Sequence, residues 1–240
     1  MSRDFVNGMS SESASGKATS DKSAGGKSIL LFDLDGTIID SRIGVTRAVQ
    51  YSLTHFGIEV KDPDLLISFI GPPLRESYKR EYGFVGEQAE TAVVMFREYY
   101  DRRGARECSL YAGIDKLLAG LYRAGRVLLL ATSKLEVYAL KILEGFGLAA
   151  YFTTVVGAQP DGMISHKREV IAKVLSQAGV ADLGEAVMIG DSRFDIRGAK
   201  AVGLDTVGVL YGFGTREELE ESGADIIVES VADLSRLLGV

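Results

Sequence analysis

Asp33 and Asp35 stand two residues apart in Asp33-Leu34-Asp35-Gly36-Thr37, directly after the apolar run Ile29-Leu30-Leu31-Phe32. A second run, Val127 to Ala131, ends in Thr132-Ser133-Lys134. A third, Ala186 to Ile189, ends in Gly190-Asp191-Ser192-Arg193-Phe194-Asp195, and Lys167 opens the helical stretch before it. Open parallel sheets bind ligands beyond the carboxyl ends of their strands. Three such ends here supply carboxylates and hydroxyls, and a neighbouring helix supplies a cation. Carboxylates gathered at one edge repel one another. A hard divalent cation relieves the repulsion, and Mg²⁺ takes oxygen ligands.

The elements that must hold these residues are legible in the apolar pattern. Short apolar or β-branched stretches predict strands, and the continuous runs at Ile29 to Phe32 and 127–131 predict strands buried on both faces. The predicted strands fall at Ile29 to Phe32, 127–131, Phe152 to Val156, Ala186 to Ile189, 205–209 and 225–228. Helical stripes fall between them, near 113–124, 135–146, 167–178, 195–202, 215–221 and from Ser230. This alternation predicts an α/β fold with a Rossmann-like parallel sheet. Residues 41–112 differ. Val45, Ala48, Val49, Leu53 and Phe56 form one helical stripe, closed by Gly57; Asp62-Pro63 starts another helix; Gly71-Pro72-Pro73 breaks the chain. Ala89, Ala92, Val93, Phe96, Tyr99 and Tyr100 form a further stripe, with no convincing strand. The expectation is an α/β catalytic core at 28–40 and 113–240, with an α-helical cap at 41–112.

The chain has 240 residues, 46% hydrophobic and 25% charged, with a net charge of −6. That charge argues against nucleic acid polymers and anionic membranes as partners. No apolar run reaches the roughly 18–20 residues of a membrane span, so a cytoplasmic protein is expected. Cys108, the lone cysteine, excludes an internal disulfide or a cysteine metal cluster and reads as a packing residue. Residues 1–27 are rich in serine and glycine and read as a disordered tail or an expression remnant.

Phe32-Asp33-Leu34-Asp35-Gly36-Thr37-Ile38 resembles the first motif of the haloacid dehalogenase superfamily. Thr132, Lys167 and Gly190-Asp191…Asp195 are similar to its second, third and fourth motifs, in the same order and spacing. The helical insert and Ile70-Gly71-Pro72-Pro73-Leu74 resemble the phosphoglycolate phosphatase-like and 5′-nucleotidase-like branch. The resemblance implies a Mg²⁺-dependent phosphatase acting on a small phosphorylated metabolite, as a monomer or homodimer. It implies Asp33 as nucleophile and Asp35 as general acid and base. Thr132, Ser133 and Lys167 would bind the phosphoryl group. Asp33, the backbone carbonyl of Asp35 and Asp191 would hold the metal, with Asp195 outside them, orienting Lys167 or a metal-bound water. Phosphoglycolate and nucleoside 5′-monophosphates are the expected substrate classes.

Each piece also has a plainer reading. A lone Asp after a strand often caps a turn or helix, and Asp40 is read so. His166 and His55 receive no catalytic role. Arg75, after the Gly-Pro-Pro turn, is the cap's candidate for a substrate anion, ahead of Arg42 and Arg47. Gly212-Phe213-Gly214 is read as a rim loop. The alternatives are a phosphosugar mutase of the β-phosphoglucomutase type and a non-catalytic interaction protein on the same fold.

Overall fold

A computed structural model describes residues 24–159 and 166–240. Six parallel strands form the main sheet: β1 (Ile29–Phe32), β4 (Val127–Leu135), β5 (Phe152–Ala158), β6 (Ala186–Gly190), β7 (Asp205–Val209) and β8 (Ile226–Val228). Their order is β5-β4-β1-β6-β7-β8. The chain therefore runs outward from β1 in both directions, and β1 sits at the switch of strand order, where open α/β sheets bind ligands.

The two faces of the sheet follow from strand periodicity. Leu30 and Phe32 point into one apolar cluster and Leu31 into the other. The first cluster is covered by α4 (Ile114–Arg123), α5 (Glu136–Gly145) and α9 (Val231–Leu238). The second is covered by α6 (Lys167–Gln177) and α7 (Arg193–Val202). Helix α8 (Arg216–Glu221) lies between β7 and β8 in the chain and buries Leu219.

Between β2 (Ile39–Asp40) and β3 (Ser109–Leu110) the chain forms a helical insert. It contains α1 (Arg42–Thr54), a 3₁₀ stretch at Pro63–Phe69, α2 (Leu74–Tyr82), α3 (Gly86–Arg102) and a short 3₁₀ turn at Gly104–Arg106. The insert has its own core of Val45, Val49, Leu53, Leu66, Phe69, Tyr78, Phe96 and Tyr100, and Tyr138 of α5 packs into it.

Three expectations need correction. The 41–112 stretch is not wholly helical, because Ser109–Leu110 pairs antiparallel with Ile39–Asp40 at the insert's base. Two-residue strands are too short to show periodicity. Asp62-Pro63 opens a 3₁₀ stretch, with the Asp62 side chain accepting from Asp64 N. The tail boundary also falls too late. Ala24 is buried, Lys27 Nζ pairs with Asp205 Oδ2 at 2.6 Å, and Arg126 donates to the carbonyls of Gly25 and Lys27. Ala24 to Lys27 therefore belong to the folded unit. Residues 1–23 lie outside the described residues.

Candidate active site

Beyond Phe32 the chain leaves the sheet and turns sharply. The amides of Thr37, Ile38 and Ile39 all donate to Leu34 O, at 3.3, 2.9 and 3.0 Å. This turn holds Asp33 and Asp35 at the end of the central strand, 5% and 8% exposed. Lys167, first residue of α6, reaches across. Its Nζ lies 2.7 Å from Asp33 Oδ1, 2.7 Å from Asp195 Oδ1 and 3.0 Å from Ala131 O. Asp195 is fully committed: its Oδ2 also accepts from Ser192 N and Oγ, closing a capping box at the start of α7.

Asp191 sits opposite Asp33, 2% exposed. Its Oδ2 accepts from Phe213 N at 2.8 Å. Two glycines make room for it. A Cβ on Gly36, at φ +83°, would stand 2.0 Å from Asp191 Oδ2, and one on Gly212 would stand 2.4 Å from Asp191 Cβ. The Gly212-Phe213-Gly214 loop is thus the cradle of Asp191.

Burial sets the electrostatics. It pushes the Asp33 carboxyl up to about 7, with Asp195 and Asp35 adding repulsion and Lys167 opposing it. Asp191 is held well above the ordinary carboxylate range, first by burial and then by Asp195 and Asp33. Single oxygens of Asp33, Asp191 and Asp195 lie within 4.8 Å of one another. Since Lys167 and Ser192 occupy Asp195, the free donors are carboxylate oxygens of Asp33 and Asp191. Their all-oxygen chemistry and unmet negative charge fit Mg²⁺.

Over residues 30–209 the sequence matches the family model of haloacid dehalogenase-like hydrolases. The chain belongs to the haloacid dehalogenase-like hydrolases. A 5′-nucleotidase of Pseudomonas aeruginosa is 40% identical over 190 residues, covering 79% of this chain and 86% of that protein. The tyrosine-protein kinase PtkA of Mycobacterium tuberculosis is 39% identical over 215 residues, 88% of this chain and 72% of that one. A phosphoglycolate phosphatase of Caulobacter vibrioides is 32% identical over 218 residues, 86% and 89%. The crystal structure of a predicted phosphatase from Clostridium acetobutylicum superposes with a TM-score of 0.86 at 42% identity, covering 89% of this chain and 99% of that one.

In this hydrolase a cavity of about 550 Å³ lies between sheet and insert. Asp33, Asp35, Thr132, Ser133 and Lys134 line its floor; Phe69, Arg75, Val93, Phe96, Arg97 and Tyr100 line its wall. Thr132 is buried, and its Oγ1 accepts from Lys134 N at 3.2 Å. The structure thus brings Asp33, Asp35, Thr132, Ser133, Lys167, Asp191 and Asp195 to one sheet edge.

The arginines fall differently. Arg75 does reach the cavity wall, but it forms a two-pronged ion pair with Glu90 at 2.5 and 2.7 Å. Arg47 pairs with Glu107 and Arg42 lies near Asp40 and over the Phe213 ring. Asp40 accepts from Arg42 N as a helix-start residue. His166 is exposed and His55 packs its ring on Phe56. Cys108 is partly buried, and burial pushes its thiol up to about 11.

Sequence reasoning passed over two residues. Lys134 Nζ lies 2.9 Å from Asp35 Oδ2 and 4.6 Å from the Tyr100 ring centroid, so it links the floor to the insert. Its position beside Thr132 was visible, but both partners are remote in sequence. Arg97 lines the wall, half-buried, with its Nε buried and without a hydrogen-bond partner among the described residues. Its signal was an arginine within the apolar stripe that runs through Val93, Phe96 and Tyr100.

Proposed function

We propose that the protein is a Mg²⁺-dependent phosphatase that hydrolyses small phosphate monoesters through an aspartyl-phosphate on Asp33. The observation that carries this reading is the buried contact of Lys167 with Asp33, which neighbours Asp191 and itself lines the cavity between sheet and helical insert. The family membership and the phosphatase and nucleotidase names of the relatives support it.

Phosphate ester hydrolysis is chiefly a problem of positioning and charge. Lys167 holds Oδ1 of Asp33, leaving Oδ2 to attack phosphorus. The ester P–O bond breaks, and Asp35 gives the leaving alkoxide its proton. Asp35 Oδ1 suits this task, since it is buried without a hydrogen-bond partner while Lys134 holds Oδ2. Water then attacks the aspartyl-phosphate, giving its proton to Asp35, and phosphate leaves. Thr132 and the backbone amides of Ser133 and Leu34 suit the non-bridging oxygens. Asp33, the backbone carbonyl of Asp35 and Asp191 would hold Mg²⁺, which when bound supplies charge neutralisation at the phosphoryl oxygens. Asp195 orients Lys167. The insert acts as the cap, excluding water and choosing the substrate. Phosphoglycolate and nucleoside 5′-monophosphates are the classes the relatives' names suggest.

The experiment is a screen of phosphate esters with the purified protein and Mg²⁺, with Asp33→Asn as control. Turnover should fall by at least about 10³-fold in the variant. Activity that survives Asp33→Asn or metal chelation overturns the mechanism. Hexose phosphates converted to isomers without free phosphate would point to a mutase.

A further inference from the structure

We infer that Arg97 is the specificity residue of the cavity, and that it binds a second anionic group, carboxylate or phosphate, on the alcohol part of the substrate. The inference rests on the phosphatase reading and narrows its substrate class.

The charge pattern of the wall carries the argument. Glu90, Val93, Arg97 and Tyr100 follow one another at i, i+3, i+7 and i+10 on α3 and all line the cavity. Arg75 and Glu90 cancel each other in their two-pronged pair. Arg97 has no ion pair or hydrogen bond among the described residues and its Nε is buried; the wall's other charge outside the Arg75–Glu90 pair is Glu76, which is exposed and lies 3.9 Å from His166. Val93, Phe96, Tyr100 and Tyr138 line the same cavity, and the charged or titratable groups that act on Arg97 are Arg75, Tyr138 and Glu90. A guanidinium with a buried, unpaired Nε in such a wall is costly, and a ligand that pairs it recovers that cost. Burial and the neighbouring Arg75 act against its charge, and Tyr138 and Glu90 offset them only in part. The planar fork matches a carboxylate or phosphate better than a neutral hydroxyl or base edge.

Position then says which end of the substrate is read. Tyr100 lies three residues after Arg97, about 4.5 Å along the helix axis. Its ring receives Lys134, and Lys134 holds Asp35. Arg97 therefore sits beyond the proton donor for the leaving group, on the alcohol side of the scissile bond. At about 550 Å³ the cavity is within the range that encloses ligands larger than a two-carbon acid. A phosphate monoester with an apolar body and a distal anion fits both features.

Three aryl esters test this: phenyl phosphate, 4-carboxyphenyl phosphate and benzene-1,4-diyl bisphosphate. For wild type, kcat/KM should favour at least one of the two esters with an anionic tail over phenyl phosphate by about tenfold or more. The one favoured tells carboxylate from phosphate. In Arg97→Gln that ratio should fall at least fivefold, through KM, and Arg97→Lys should recover part of it. Taking the ratio between proteins cancels leaving-group differences. Binding of phenylphosphonate and 4-carboxyphenylphosphonate, with Mg²⁺, reads the same preference by calorimetry without turnover, with benzene-1,4-diyl bisphosphonate as the phosphate arm. No preference in wild type, or the same ratio in Arg97→Gln, overturns the proposal while leaving the phosphatase reading intact. If no ester is hydrolysed the phosphatase reading fails, and the phosphonate affinities alone then decide Arg97.

Discussion

Lys134 shows how one side chain ties chemistry to architecture. Its ammonium is buried, yet Asp35 and the Tyr100 ring keep it charged, and its pKa lies above the ordinary lysine value despite desolvation. It fixes Oδ2 of Asp35 and leaves Oδ1 buried without a hydrogen-bond partner among the described residues. If Asp35 protonates the leaving group, Lys134→Met should matter most where protonation matters most. On an alkyl phosphate, kcat should fall about 10–100-fold, a partial loss of the roughly 10²–10⁴-fold that general acid catalysis contributes. On 4-nitrophenyl phosphate, whose leaving group needs little help, the loss should be several-fold smaller. A positioning role predicts that difference; equal losses on both esters would mean that the change only loosened the fold. Circular dichroism and melting of the variant check the second case, since an orphaned buried carboxylate costs about 3–5 kcal/mol.

At the scale of elements, the site depends on how closely three loops approach. The turn after β1, the start of α7 and the loop after β7 converge on Asp191, and Gly36 allows it. Gly36→Ala adds both a disfavoured φ, about 1–2 kcal/mol, and a Cβ inside the Asp191 carboxylate. Turnover should fall at least about 10²-fold, as misplacing a reacting group by an ångström does. Gly57→Ala is the control. Its φ is +72° but nothing lies within 4 Å of the added Cβ, so it should lower Tm by about 2–4 °C per kcal/mol and spare activity. Equal effects of the two on kcat would sink the close-approach argument. The strands were readable because central parallel strands are buried on both faces and show as apolar runs. The end of β4 was not. It resumes pairing at Leu135 with Ala158 after an irregularity beyond Ala131, and that stretch is Thr-Ser-Lys, with no apolar pattern to read. The four motifs were legible because each sits next to a strand or helix end. Lys134 and Arg97 were not, because their meaning comes from α3 lying over the sheet, a contact that no local pattern encodes.

Over the whole molecule the decisive quantity is charge balance. The chain carries a net −6, and part of that is concentrated at one sheet edge. Four buried carboxylates, Asp33, Asp35, Asp191 and Asp195, face two ammonium groups, Lys134 and Lys167. Two negative charges remain, as many as one divalent cation carries. Without that cation a proton does part of the work: the Asp33 carboxyl rises to about 7, mainly by burial. Its folded value lies above the unfolded one, about 3.9. Its contribution to stability is therefore fully present below about pH 4 and is lost as pH rises through about 7. The metal-free protein should accordingly lose Tm from this site between about pH 5 and 8. Mg²⁺ must displace the proton to bind, so its stabilisation should run the other way, small at pH 5 and large at pH 8. At one hundred times Kd it amounts to about 2.7 kcal/mol, or about 5–10 °C for a chain of this size. Melting curves in EDTA and in Mg²⁺ at pH 5, 6, 7 and 8 measure it, with Asp191→Asn as the variant lacking a ligand. A Mg²⁺ shift equal at every pH, or undiminished in Asp191→Asn, would mean that the cation binds elsewhere and that the acidic edge is balanced by protons alone.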